Sequence, residues 1–423
     1  MAFACSRNLD ARMEPVTQSI LAVSWSMPPA VLPQSIQISR LLGAMSGQGC
    51  EIHVLTSLID KKQYPTFISD DALAARYADK FRTSIVIPDY GAKIRRKLRR
   101  SKAPLWEEAV CKHAASLLKK TPHTALITFA QPFSDHLIGL RLKRDFPRLP
   151  WIAHFSDPWA DNPYATPTAD DHKHERETIE LADALVFTTE RTKKLVMRKY
   201  PEAWATRAHV LAHCLEPDDI APPHALHAIE GDEPDLHILH TGNLYDARAP
   251  YGLLFALLRL KKKGMGGIKV SFVGHAQPAF LAMLKACALE DSIFCQASLP
   301  PVECNVLCAK ADVLLVCDAP APESVFLPSK LVDYLAAGRP ILALTPQQSS
   351  TTDFLRDVGG FSAPPEDVEA IATTLENLLR MKRQGTLETL CPTPVAQHMY
   401  LAETAADRLL GIIASLNNGG MCT

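Results

Sequence analysis

Short apolar runs alternate with amphipathic stretches along most of the chain. In the first half the β-rich runs are SILAVSW (19–25), CEIHVLTSL (50–58), TALITFA (124–130), WIAHFSD (151–157), ALVFTT (184–189) and AHVLAH (208–213). Helical patterns lie between them, the order expected of βα units around a parallel sheet. The pattern lapses in LEPDDIAPPHALHAIEGDEPD (215–235), rich in proline and acid, and restarts with LHILHTG, IKVSFVG, SIFCQAS, ADVLLVC and RPILALT. The chain therefore reads as α/β, with two doubly wound, Rossmann-like domains facing a cleft: 1–214, a linker 215–235, 236–390, and a closing helix and tail over 391–423. Closing helices are predicted over 366–380 and 396–416, the latter carrying Leu401, Ala405, Leu409 and Ile413 on one stripe. A length of 423 residues suits two domains better than one core.

In open α/β sheets ligands bind outside the carboxyl ends of the strands, so candidate residues are sought just after each strand. FLPSKLVDYLAAGRPILAL (326–344) places Leu331, Val332, Leu335 and Ala336 at helical spacing, with Pro328 and Ser329 opening the helix and Gly338 and Pro340 ending it. A helix docked on a sheet explains all of this except Lys330 and Asp333. The amides of Ser329, Lys330 and Leu331 fall at the helix start, where unpaired donors attract an anion. HTGNLYDARAP (240–250) follows the second domain's first strand, and there Gly242 permits close backbone approach while Arg248 offers a planar fork. Helix start, Lys330 and Arg248 can share one diphosphate, and Asp333, about one turn deeper, suits ribose hydroxyls. A diphosphate beside a ribose describes a nucleotide.

Composition narrows the field further. With 45 basic and 46 acidic side chains, no global field points to nucleic acid. Eleven cysteines are scattered singly, and the nearest pair, Cys304 and Cys308, lacks CxxC spacing, so reduced thiols and a cytoplasmic location are expected. The start MAFACSRNLDARMEPV carries no charged-then-apolar signal pattern, and no window reaches the length of a membrane span. KIRRKLRRSK (93–102) holds seven basic residues in ten. It reads either as a solvated helix face or as a contact with anionic lipid at the inner face of the membrane.

LPSKLVDYLAAGRPILA, with TGNLYDAR upstream and ADVLLV before the loop, resembles the donor-binding domain of family 4 glycosyltransferases of the GT-B fold. PWIAHFSDPWADNPY (150–164) is similar to the DPW segment of bacterial cell-surface polysaccharide members, and ITFAQPFSDHLIG (127–139) to the loop before it. The resemblance implies retaining transfer from a nucleotide-diphosphate sugar to a glycan or lipid-linked acceptor, with no metal and no cofactor. It assigns the donor to Gly242, Asn243, Arg248, Ser329, Lys330, Leu331 and Asp333. The family's pair of glutamates, eight positions apart, falls on Asp333 and Val325, and Glu323, two residues before Val325, is the candidate substitute for the missing carboxylate. A frequent acceptor-domain histidine is replaced by Ser156, next to Asp157, with His154 two positions back on the same side of the strand. Asp157 and Glu323 are the expected catalytic residues; Ser35, His136, His154, Ser156 and Trp159 are acceptor-side candidates, and Gln34 is a further polar residue of the opening turn. Each has a plainer reading: Asp157 as a turn residue before Pro158, the histidines as satisfied core residues.

A nucleotide-sugar epimerase would share the diphosphate and ribose contacts but not acceptor dependence. A dehydrogenase is disfavoured, because no GxGxxG follows a strand. A catalytically silent nucleotide-sugar binder is the reading from another class, encouraged by Val325 and Ser156.

Overall fold

A computed structural model describes residues 18–59, 68–86, 105–221, 235–244 and 246–419. The basic run 93–102 lies outside the described residues. In the first domain β1 (Ser19–Ser24), β2 (Glu51–Thr56), β3 (Arg82–Ile85), β4 (Ala125–Ala130), β5 (Trp151–Phe155), β6 (Ala184–Phe187) and β7 (Ala208–Val210) form one sheet in the order β3-β2-β1-β4-β5-β6-β7. In the second, β8 (Leu236–Thr241), β9 (Ile268–Val273), β10 (Ile293–Gln296), β11 (Val313–Cys317), β13 (Ile341–Leu344) and β15 (Phe361–Ala363) run β10-β9-β8-β11-β13-β15. Two short strands, β12 (Glu323–Ser324) and β14 (Gln348–Ser349), pair separately. All strand pairs are parallel, for example Ile20 beside both Ile52 and Ala125. Every residue of β4, β5, β6, β11 and β13 is buried, which is why these strands read as unbroken apolar runs.

Strand order reverses between β1 and β4 and again between β8 and β11. Each reversal splays the neighbouring loops apart and leaves a crevice at the carboxyl ends. The two crevices face each other.

Besides the short pair β12 and β14, the structure departs from the expected elements at three places. β3 and β15 were not expected: both are short edge strands, and the exposed or half-buried RTSI carries too little apolar patterning to announce a strand. The single helix expected over 396–416 is two helices, Pro394–Met399 and Ala402–Gly419. Tertiary pairing overrides helical periodicity at the break, since Leu215 donates to Tyr400 O at 2.9 Å and Ala402 donates to Leu215 O at 2.8 Å. Beyond the break, Ala402, Ala405, Ala406, Leu409 and Ile413 are buried in the first domain's core with Leu41, Leu42 and Met45 of the helix Pro33–Gly47. Burying Leu409 and Ile413 contributes roughly 1.5–3 kcal/mol each, as an upper estimate.

The chain thus crosses between the domains twice, side by side, at Leu215 and Leu401. Arg40 of the first domain binds Asp219 of the crossing at 2.9 Å and Asp333 of the second domain at 2.8 Å. On another face Arg191 grips Asp353 through Nε at 2.5 Å and Nη2 at 3.2 Å. Among the described residues no helix is long and apolar enough to cross a membrane.

Candidate active site

The facing crevices merge into one cleft of about 1770 Å³ lined by both domains. That exceeds the ~300–1,000 Å³ of a typical single-ligand site and leaves room for two substrates.

The second domain's wall is built around Lys330. Its Nζ donates to Thr241 O at 2.5 Å and to His240 Nε2 at 3.2 Å, which uses two of its three donors. His240 can accept because its Nδ1 donates to Leu315 O at 2.9 Å, and burial, followed by the charge of Lys330, holds the imidazole neutral. The Tyr334 hydroxyl accepts from the Thr241 amide at 2.9 Å, which locks the helix Lys330–Ala337 to the end of β8 and aims the lysine. Burial pushes Lys330 down to about 8, and nearby Arg248 adds to the fall. Among the described residues no carboxylate lies within ion-pair distance of Lys330. It is a half-buried cation placed for an anion that the protein does not itself supply.

Gly242 is required here twice over. Its φ of +119° is a glycine conformation, and a Cβ would stand 2.5 Å from Lys330 Nζ. Asn243 braces the same turn by accepting from the His275 amide at 2.9 Å, and Arg248 ends a short turn, Asp246–Arg248, on the cleft wall. Ser329 lines the cleft, but its side chain makes no capping bond. Leu331 corrects the expected anion site: its amide donates to Pro328 O at 3.0 Å and its side chain is core. The amides of Ser329 and Lys330 carry no such bond among the described residues.

Opposite stands Asp157, just past β5. Gln131 Nε2 donates to its Oδ2 at 2.8 Å. Burial pushes its carboxyl up to about 6, while Arg248 from the other domain and the Gln131 bond pull the other way. Asp157 is the one carboxylate among the described cleft-lining residues, and Arg248 and Lys330 are the two cations. Ser156 and His154 line the same wall. Burial pushes His154 down to about 3, with His213 contributing, and its Nδ1 has no hydrogen-bond partner among the described residues. His213, pushed down to about 4 by burial with the charge of Arg40 adding to the fall, lines the cleft with Leu327 of the second domain. Above them Tyr164 of the first domain and Phe326 of the second stack with centroids 5.2 Å apart.

Five expected site residues lie elsewhere. Glu323 does not line the cleft; Arg191 draws its carboxylate away at 2.9 Å. Beside it the Val325 carbonyl accepts from hydroxyls of Thr189, Thr192 and Ser350 at 3.0, 2.9 and 2.8 Å, so this loop is stitched to the first domain. Asp333 faces Arg40 and a small recess with Asp219 rather than the cleft, and burial holds its carboxyl above the ordinary value while Arg40 opposes the rise. His136 is core, its Nδ1 2.8 Å from the Thr128 hydroxyl and its ring 4.4 Å from that of Phe155. Trp159 is buried, stacked on Phe133 at 4.6 Å and bonded to Asp171. Ser35 is buried, and the cleft position belongs to its neighbour Gln34, anchored to Phe129 O at 3.0 Å.

Sequence reasoning did not single out Gln131 or His213. Both follow strands, the same signal that pointed to Asp157. Among the described residues no cluster of three or more histidine, cysteine or acidic side chains could hold a metal ion.

No family model and no curated protein matches the sequence. Solved structures do match the fold. Sucrose-phosphate synthase from Thermosynechococcus elongatus superposes with a TM-score of 0.71 at 16% identity, covering 95% of this chain and 100% of that one. HepE of Anabaena, in complex with UDP and glucose, gives 0.68 at 12% identity over 94% and 100%. A glycosyltransferase from Rickettsia africae gives 0.67 at 14% identity over 95% and 99%. The chain adopts the two-domain GT-B fold shared by these structures.

Proposed function

We propose that this protein transfers a glycosyl group from a nucleotide-diphosphate sugar to a hydroxyl of a glycan or lipid-linked acceptor, with retention and without a metal, in cell-surface polysaccharide synthesis, as the resemblance to family 4 implies. The observation that carries the reading is Lys330: a half-buried ammonium with no acidic partner in ion-pair range among the described residues, one N–H unspent, on the cleft wall beside Arg248. When the bond between the sugar's anomeric carbon and the diphosphate oxygen breaks, the electron pair leaves with the diphosphate. Fixed cations aimed at that oxygen stabilise the transition state more than the ground state. The acceptor oxygen forms the new bond as its proton passes to the departing diphosphate oxygen, and Asp157 orients that hydroxyl or steadies positive charge on the sugar. HepE was solved with UDP, which supports UDP as the first probe.

Calorimetric titration with a panel of nucleoside diphosphates, UDP among them, tests the reading. Lys330→Ala or Arg248→Ala should each weaken binding by about 1.5–3 kcal/mol, the range for hydrogen bonds to charged groups. Unchanged affinity in both variants would remove the diphosphate site.

A further inference from the structure

Gln131 stands just past β4 and lines the cleft beside Asp157. An ionised carboxylate only accepts, so the 2.8 Å contact must use the amide's NH2 group. That settles which way the amide lies, and its carbonyl oxygen, which makes no hydrogen bond among the described residues, remains as a second acceptor on the cleft wall. Among the described residues no other side chain bonds to Asp157. A carboxylate held by a single side chain keeps the geometry that this side chain gives it.

We propose that Gln131 is the positioning residue of the transfer site: it holds one carboxylate oxygen of Asp157 and leaves the other, with its own carbonyl oxygen, to receive hydroxyls of the acceptor. Two neighbouring acceptor atoms select a neutral polyol face that offers two hydroxyl donors. They reject a phosphate or carboxylate at this spot, which would bring negative charge against Asp157. The groups bearing on Asp157 are Arg248 from the opposite wall and Gln131 itself. The inference rests on the reading of Asp157 as the acceptor-side polar centre.

The test follows the Asp157 carboxyl directly, in full-length protein labelled with 13C at aspartate carboxyl carbons, its signal assigned by its loss in Asp157→Asn. Gln131→Met keeps the length and removes the donor; Gln131→Glu adds a like charge. The titration midpoint should rise by about half a pH unit to one unit in the first and further in the second. Melting temperature and nucleoside diphosphate affinity should stay at wild-type values in both. A midpoint that moves in neither folded variant would overturn the positioning role. Loss of the underlying transfer reading looks different: the midpoint would move as expected in a protein that binds none of the nucleoside diphosphates.

Discussion

Lys330 makes nucleotide affinity a function of pH in a way that can be worked out beforehand. Without ligand its ammonium loses the proton near pH 8, because burial and Arg248 both disfavour the charge. A diphosphate against it favours the charged form and draws the value back toward lysine's ordinary ~10.4 or beyond. The sign follows from linkage: affinity is full below about pH 8 and weakens above it, by up to about one decade per pH unit, until the bound form also titrates. Between pH ~7.5 and ~9.5 the expected loss is about twentyfold, or ~1.8 kcal/mol. The diphosphate keeps its charge over that range, but the uracil of UDP begins to lose its N3 proton at the upper end, so the share belonging to Lys330 is the difference between the wild-type profile and that of Lys330→Arg. Calorimetry in two buffers of different ionisation enthalpy should show proton uptake on binding that approaches one at the upper end. Lys330→Arg, which cannot lose its charge, should bind with an affinity nearly flat in pH. A flat profile in the wild-type protein, with no proton uptake, would refute Lys330 as the diphosphate ligand.

Three further outcomes are expected. Asp157→Asn should lower the transfer rate about a hundredfold or more with nucleotide affinity nearly intact, and the wild-type rate should fall away below about pH 6, where the carboxyl protonates; a lowered melting temperature with unchanged rate would mark the residue as structural. Gly242→Ala should abolish detectable UDP binding, since the new methyl meets Lys330 Nζ at 2.5 Å and φ is +119°, and wild-type affinity in a titration would contradict the close packing described. Neutralising Arg95, Arg96, Arg99 and Arg100 should release the protein from anionic vesicles that the wild type sediments with at low salt; equal sedimentation would leave 93–102 as a solvated segment.

Lys330, Gly242 and Arg248 were legible in the sequence because their placement depends on local rules: a strand end, a glycine turn, a helix start. Glu323 and Asp333 obey the same local rules and still turn from the cleft. Their directions are set by Arg191 and Arg40, which come from the other domain, and no spacing along the chain reveals such a partner. His136 and Trp159 sit in a segment whose polar residues point inward to Thr128 and Asp171, so a polar residue near a strand end was not enough to mark the site. The sheets were legible where both faces are buried, as in β4 and β11, and were missed at two of the four edges, β3 and β15, while the edge strands β7 and β10 were read from AHVLAH and SIFCQAS.

The helix Ala402–Gly419 has a consequence for how the protein is made. It leaves the ribosome after the whole second domain, yet Ala405, Leu409 and Ile413 complete the core against the helix Pro33–Gly47, which leaves before it. Throughout synthesis of the second domain, the nascent first domain therefore carries an open apolar groove along Leu41, Leu42 and Met45. The groove closes only once the second domain has been made and the chain has returned to the first, and holdase chaperones have their binding window in that interval.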